Sequence, residues 1–386
     1  MHSRSHTRKH DASRRDFFRF LTGSTLAGAS ILELAFHRAA WSRALAAESD
    51  TQLFEIEKVA EGVYLAKARA QAIINCNAAI FVNSADVLVV DAHSKPSAAA
   101  ALIAQIKKQV TSKPVRYVVD SHFHWDHTQG DHAYRAAESK IDFIASEPTK
   151  QLLSDLAQKR LKESLDQVPG QIDSLRARAA KSRSDTEKTS CEDQIRQLRA
   201  YQEELRNYAP ELPTITFATS YVLRDKAHDL HIEFHGRAHT AGDAVVFCPQ
   251  KRAVATGDMI LGFLPFIADG YPKTWPKTID SVASLEFDRI LPGHGPLQTN
   301  RQPMTNERNY IEELTEKVAT GKKAGKSIAD LQEAITIQSL RSMESNGYAA
   351  YVAKNQSQLL PALESSDLAS GVKANVAEVY RNLDRA

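Results

Sequence analysis

The chain has 386 residues, 42% hydrophobic and 25% charged, the composition of a folded globular protein rather than a disordered one. Its formal charge of +2 comes from the start: residues 1–46 hold eight Lys/Arg against three Asp/Glu, and the remainder holds 41 against 44. That leaves no basic face to predict a nucleic-acid partner, and three scattered cysteines are too few for a disulfide framework or a thiolate zinc site.

In chain order, the first feature is Ser13-Arg14-Arg15-Asp16-Phe17-Phe18-Arg19, followed by an apolar, Gly/Ala-rich stretch from Phe20 to Phe36. This resembles a twin-arginine export signal. The stretch is short beside the about 20 apolar residues of a membrane span, and Ala44-Leu45-Ala46 supplies a small-x-small cleavage pattern. Residues 1–46 are therefore expected to be removed after passage through the twin-arginine translocation machinery, leaving a periplasmic or otherwise exported protein. An uncleaved anchor, or an amphipathic helix with an accidental Arg pair, is the alternative.

Residues 52–92 alternate apolar runs with turn residues, ending in Ala78-Ala79-Ile80-Phe81-Val82 and Val87-Leu88-Val89-Val90-Asp91. These predict consecutive strands, the last ones buried on both faces. Ala99, Leu102, Ile103 and Ile106 have helical spacing, and a further strand is expected over Val115 to Val119. The strand, helix, strand order places the next residues at the carboxyl end of a strand, where mixed α/β proteins tend to carry chemistry.

Those residues are Asp120-Ser121-His122-Phe123-His124-Trp125-Asp126-His127. Three imidazoles and a carboxylate so close together make a poor core, because each buried ring needs a hydrogen-bond partner. Metal coordination resolves that cost: in an extended or tightly turned segment His122 and His124 point the same way, and Asp126 and His127 can turn towards a second point. Later come Gly236-Arg237-Ala238-His239-Thr240-Ala241-Gly242-Asp243, then Ala255-Thr256-Gly257-Asp258, then Leu291-Pro292-Gly293-His294-Gly295.

Together these motifs resemble those of the metallo-β-lactamase fold superfamily over roughly residues 52–300. The resemblance implies an α/β fold, a four-layer αββα sandwich. It implies that His122, His124 and His239 bind one metal, that Asp126, His127 and His294 bind another, and that Asp258 bridges them. Imidazole and carboxylate suit two catalytic Zn²⁺ per chain, with iron or manganese fitting the same ligands. Two cations there would lower the pKa of water towards neutrality and polarise a carbonyl, and Asp126 is assigned a catalytic part in orienting that water. Asp91 and Asp243 are candidates for accepting hydrogen bonds from the ligand imidazoles, or are plain turn residues. Phe263, Phe266 and Tyr271, in an unusually apolar loop after Asp258, are candidates for one wall of a small-molecule substrate pocket, or pack under a helix.

The best-known zinc β-lactamases have Cys or Ser near the position of Asp258, which points instead to hydrolysis of an ester, thioester, lactone or amide. A β-lactamase, an iron-dependent sulfur-oxidising enzyme of the same fold and a non-catalytic binding protein stay open as alternatives. The catalytic domain is placed at 47–300. It includes a helical hairpin insert at about 150–212, expected to break at Pro169-Gly170, to turn over Ser182 to Ser190 and to bury its apolar stripes mainly on itself. A C-terminal helical extension follows over 301–386. The insert's Lys, Arg and Glu are expected to form a solvated face, with a lid over the metal site or a subunit interface as the alternatives, and the C-terminal helices are expected to pack against the sandwich or mediate a homo-oligomer.

Overall fold

The structure, a computed structural model, describes residues 53–69, 76–359 and 366–385. The export signal read at residues 1–46 lies outside them.

A seven-stranded sheet has the order β1-β2-β3-β4-β5-β6-β7 and a five-stranded sheet the order β12-β11-β10-β9-β8. In the first sheet β1 (Phe54–Ala60), β2 (Val63–Ala68), β3 (Ala78–Val82) and β4 (Val87–Val90) run antiparallel as a meander. Then β5 (Val115–Val119), β6 (Asp142–Ser146) and β7 (Ile215–Phe217) continue in parallel. In the second, β8 (Ser220–Leu223), β9 (Leu230–Phe234), β10 (Ala244–Cys248) and β11 (Ala253–Gly257) are antiparallel neighbours, and β12 (Arg289–Pro292) adds to β11 in parallel.

The side-chain period of two explains why these strands read as unbroken apolar runs. Leu88 and Val90 enter the core between the sheets with Phe81, Val246 and Leu291, while Val87 and Val89 face outwards against Leu102, Ile106 and Tyr134. Those outer residues belong to helices α1 (Pro96–Gln109) and α3 (Asp131–Ala137). On the second sheet Val245 and Phe247 face a third core, shared with α7 (Trp275–Ala283) and with the C-terminal helices α8 (Gln302–Lys323) to α12 (Ser366–Asn382). The central strands are covered on both faces and β8 keeps one face exposed, which gives the four layers of an αββα sandwich with added C-terminal helices.

Between β6 and β7 the chain forms α4 (Glu147–Leu152), a π-helical turn (Leu153–Ala157), then α5 (Gln158–Lys181) and α6 (Asp185–Leu205). Two local expectations fail here. The helix runs straight through Pro169, and the Leu165 carbonyl that proline leaves without its intrahelical donor accepts instead from Gln202 Nε2 at 3.4 Å. The turn is also shorter than Ser182 to Ser190. Ser184 caps α6 by accepting from the Glu187 N–H, and Glu187 accepts in return from Ser182 and Arg178. The apolar stripes are buried mainly on the hairpin itself, as expected, with one contribution from outside. Its core of Leu161, Val168, Ile172, Leu198 and Tyr201 takes in Trp125 of the metal motif.

Candidate metal centre

Val119 ends β5, and the chain bends through Ser121, His122 and Phe123 before His124, itself extended, leads into the single turn α2 (Trp125–Thr128). The bend leaves the His122 and His124 rings against each other, 4.6 Å between centroids, and the turn brings Asp126 and His127 round towards a neighbouring point. The loop carrying His239 is fixed at its back. Ser146 Oγ and Thr149 Oγ1 donate to the Gly242 carbonyl at 2.6 and 2.8 Å, and Asp243 accepts from the Thr240 N–H and hydroxyl at 2.8 and 2.6 Å. Asp258 leaves β11 and His294 leaves β12, parallel neighbours, so both arrive at the same end of the sheet.

The result is two overlapping clusters. His122 Nε2 and His239 Nε2 lie 3.0 and 2.9 Å from His124 Nδ1. His294 Nε2 and His127 Nε2 lie 3.0 and 3.5 Å from Asp126 Oδ2. Asp258 stands between them: Oδ1 is 3.4 Å from His127 Nε2, and Oδ2 is 3.7 Å from both His239 Nε2 and His294 Nε2. All seven residues are buried, Asp258 being the most exposed at 8%.

The outer nitrogens of four rings are occupied. His122 Nδ1 meets Ser121 Oγ at 3.0 Å, His127 Nδ1 meets Asp91 Oδ2 at 2.9 Å, and His239 Nδ1 meets the Phe266 carbonyl at 3.0 Å. His124 is reversed, with Nε2 turned to Asp269 Oδ2 at 2.9 Å and Nδ1 left facing the other imidazoles. With their outer N–H groups donated away, the inner nitrogens of His122, His124 and His239 present lone pairs to one another. Three lone pairs at about 3 Å repel unless a cation lies among them, and nitrogens around a tetrahedral Zn²⁺ at about 2.0–2.1 Å would stand at a similar spacing. His127 Nε2 and Asp258 Oδ1 are buried without a hydrogen-bond partner, a further sign of a site shaped for an ion. The residues therefore fit a dinuclear metal site.

The electrostatics agree. Burial drives His239 down to about 3 and His122 well below its ordinary value, keeping both rings neutral as metal ligands must be. Burial would also lower His127, but Asp258 and the surrounding anionic groups outweigh it and raise the ring well above its usual range. A proton there balances carboxylates that a metal would otherwise balance. For Asp258 burial acts upwards, and His294 and His127 more than reverse it, leaving the carboxyl well below the usual range.

Of the other sequence candidates, Asp91 meets the metal motif directly, accepting from His127 and from the Ser121 N–H and hydroxyl. Asp243 does not reach an imidazole in any described contact. It is a turn residue that holds the His239 loop through Thr240, and burial raises its carboxyl to about 7. Phe266 stands edge-on to His124 and His239 at centroid distances of 5.8 and 6.1 Å, and Phe263 lies 5.7 Å from the His294 ring. Tyr271 instead lies under the Arg237 guanidinium at 5.2 Å.

Sequence reasoning missed several contributors. Asn77 donates to the Pro292 and Gly295 carbonyls on either side of His294. Arg160 of the insert grips Asp269 with both terminal nitrogens, at 2.7 and 2.8 Å. Behind the motif, Asp120 and Asp131 are fully buried with no hydrogen-bond partner among the described residues, and burial, with the other acids nearby, raises both carboxyls well above their ordinary value. None of these carries a local pattern. Only Asn77, directly after Cys76 and ahead of a buried strand, stands out as a polar residue in apolar surroundings.

Two helix-covered sheets with a His/Asp metal-binding cluster at the strand ends define a protein of the metallohydrolase-like αββα class. The family model described as the metallo-beta-lactamase superfamily matches residues 73–294, more than half of the chain, and the chain belongs to that superfamily. Among solved structures it is similar to a metallo-beta-lactamase from Pontibacter korlensis, at 18% identity over 66% of this chain and 97% of that one, with a TM-score of 0.48. It is also similar to the DIM-1 metallo-beta-lactamase, at 16% identity over 67% and 97% of the respective chains, with a TM-score of 0.48. No curated protein sequence matches.

Proposed function

We propose that the protein is an exported hydrolase that uses two zinc ions to cleave an ester, thioester, lactone or amide. The observation that carries this reading is the convergence of seven buried His and Asp side chains into two clusters joined by Asp258. His122, His124 and His239 would hold one metal, Asp126, His127 and His294 the other, with Asp258 between. Bound there, the metals supply Lewis acidity, which lowers the pKa of water and polarises an acyl carbonyl.

The chain's own groups then position and protect. Burial pushes Asp126 upwards, but His127 and His294 prevail and hold it below its usual value, so it stays ionised to orient a water and accept its proton at a carboxylate oxygen. Phe263 and Phe266 give the apolar side of the acyl pocket. Asp258, a hard carboxylate where a thiolate would favour softer metals, fits zinc, iron or manganese, so metal analysis must accompany the activity test.

The test is Asp258→Asn, which removes the negative charge between two dications. After dialysis the variant should keep close to one metal per chain, held by the three histidines, and lose most of its turnover on a panel of esters, thioesters, lactones and β-lactams. Two firmly held metals and an unchanged rate would show that Asp258 is not the bridge. Iron in place of zinc, with no hydrolysis of any panel member, would overturn the hydrolase reading.

A further inference from the structure

We propose that Arg160 of the helical insert and Asp269 of the loop after β11 act as one unit of positioning residues, presenting Nδ1 of His124 to the metal held by the three histidines. The inference rests on the metal-site reading above and extends it to residues outside the ligand set.

Neutral imidazole carries its proton on either nitrogen, and a ring serves as a ligand only through the unprotonated one. At His124 the convergent atom is Nδ1, so the proton must be on Nε2, and Asp269 Oδ2 at 2.9 Å is there to receive it. Asp269 sits in an otherwise apolar loop, and an unsupported carboxylate there would turn to water. Arg160 prevents this with a two-point grip at 2.7 and 2.8 Å. A guanidinium fork matches both carboxylate oxygens at once, which a lysine cannot do. The same guanidinium lies 4.9 Å above the ring of Phe123, the residue between His122 and His124. Arg160 therefore touches the motif through Asp269 and through Phe123.

The loop is also held from the opposite side. Asn382, at the end of α12, donates to the carbonyls of Ile267 and Ala268 at 2.8 and 3.0 Å, and Arg385 donates to Ala268 at 3.1 Å. The helical insert and the C-terminal helices thus converge on the one carboxylate that orients His124. By this geometry the insert is part of the metal site.

The experiment loads the full chain with cobalt(II), whose visible spectrum reports ligand geometry, and measures affinity for each of the two metals by chelator competition. Arg160→Met and Asp269→Ala should each weaken the metal at the three histidines about 10- to 100-fold and alter its spectrum, leaving the other metal bound. Arg160→Lys should recover only part. The double variant should be no weaker than Asp269→Ala alone, because the two residues work through one hydrogen bond. Arg176→Met, which removes an exposed pair with Asp173 on the same helix, should match wild type. Wild-type affinity in Arg160→Met overturns the proposal, as does equal weakening of both metals or losses in the double variant that simply multiply. If Asp269→Ala does not fold, Arg160→Met decides alone. A wild type that binds no metal would instead sink the metal-site reading itself.

Discussion

Gly293 precedes His294, and a methyl group there meets Asp258. An added Cβ would lie 2.2 Å from Asp258 Oδ1, 2.9 Å from the Gly257 carbonyl carbon and 3.0 Å from His127 Cε1. Carbon and oxygen normally approach no closer than about 3.3 Å, so the carboxylate must retreat by about 1 Å. The loop cannot retreat in its place. Gly293 N donates to the Gly257 carbonyl at 2.8 Å, and the Gly293 carbonyl accepts from Asn77 N at 2.6 Å. A shift of about 1 Å is half of a zinc–oxygen bond of about 2.0–2.2 Å, enough to lose the bridge. Gly293→Ala should therefore lower turnover by about 100-fold and leave fewer than two metals per chain after dialysis, while overpacking costs about 1–3 kcal/mol of stability. Gly170→Ala is the control: its Cβ meets nothing within 4 Å in α5, so stability should be unchanged or rise by about 0.5–1 kcal/mol with full metal content. Metal analysis, thermal unfolding and turnover on the best panel substrate read the outcome. Full metal and wild-type turnover in Gly293→Ala would refute the reasoning, as would an equal loss in Gly170→Ala.

Two further outcomes follow from burial and from the N-terminal sequence. Burial raises the Asp131 carboxyl above its unfolded value, so its stabilising contribution is complete below about pH 4 and is lost as pH climbs through the folded value. Asp131→Asn in the metal-free protein should accordingly come closest to wild type below about pH 4 and melt progressively higher than it as pH rises, and a gap that stays the same from acid to alkaline pH would contradict this. Replacing both Arg14 and Arg15 by Lys should trap unprocessed protein in the cytoplasm, read by fractionation and by the size of the product; processed protein outside the cytoplasm would rule out the twin-arginine route.

The ligand set was legible because its density violates what a core tolerates: imidazoles crowded into six residues have no cheap structural explanation, and the later motifs each follow a strand. The buried strands were legible for a related reason, since Val87 to Val90 fill two different cores from alternate sides. What escaped notice depends on long-range geometry. Arg160 is one of many basic residues on a charged helix, Asp269 one acid in an apolar loop, and they meet across 109 positions. Pro169 misled because local propensity predicts a break, whereas a side chain from the neighbouring helix supplied the missing donor. For Asp243 the turn alternative is the one the structure shows, since its carboxylate holds the His239 loop through Thr240.

The sharp turn after β4 ties these levels together. Asp91 and His93 have φ of 71° and 72°, the left-handed region that costs a residue other than glycine about 1–3 kcal/mol. Such strain persists only where surrounding contacts fix it. Here Asp91 N donates to the Val119 carbonyl at 2.9 Å, Ala92 N to the His127 carbonyl at 2.6 Å, and Gly130 N to the His93 carbonyl at 3.1 Å. The Asp91 carboxylate adds three bonds, two from Ser121 and one from His127, and charged hydrogen bonds of about 1.5–3 kcal/mol each are enough to hold the bend. The segment approaches so closely that a Cβ on Gly130 would stand 1.7 Å from the Ala92 carbonyl oxygen. An unstrained turn would release the Asp91 carboxylate from this position and with it the proton on His127 Nδ1, leaving Nε2 free to change tautomer. The strain at the end of one strand is thus what orients an imidazole of the candidate metal cluster carried by the next.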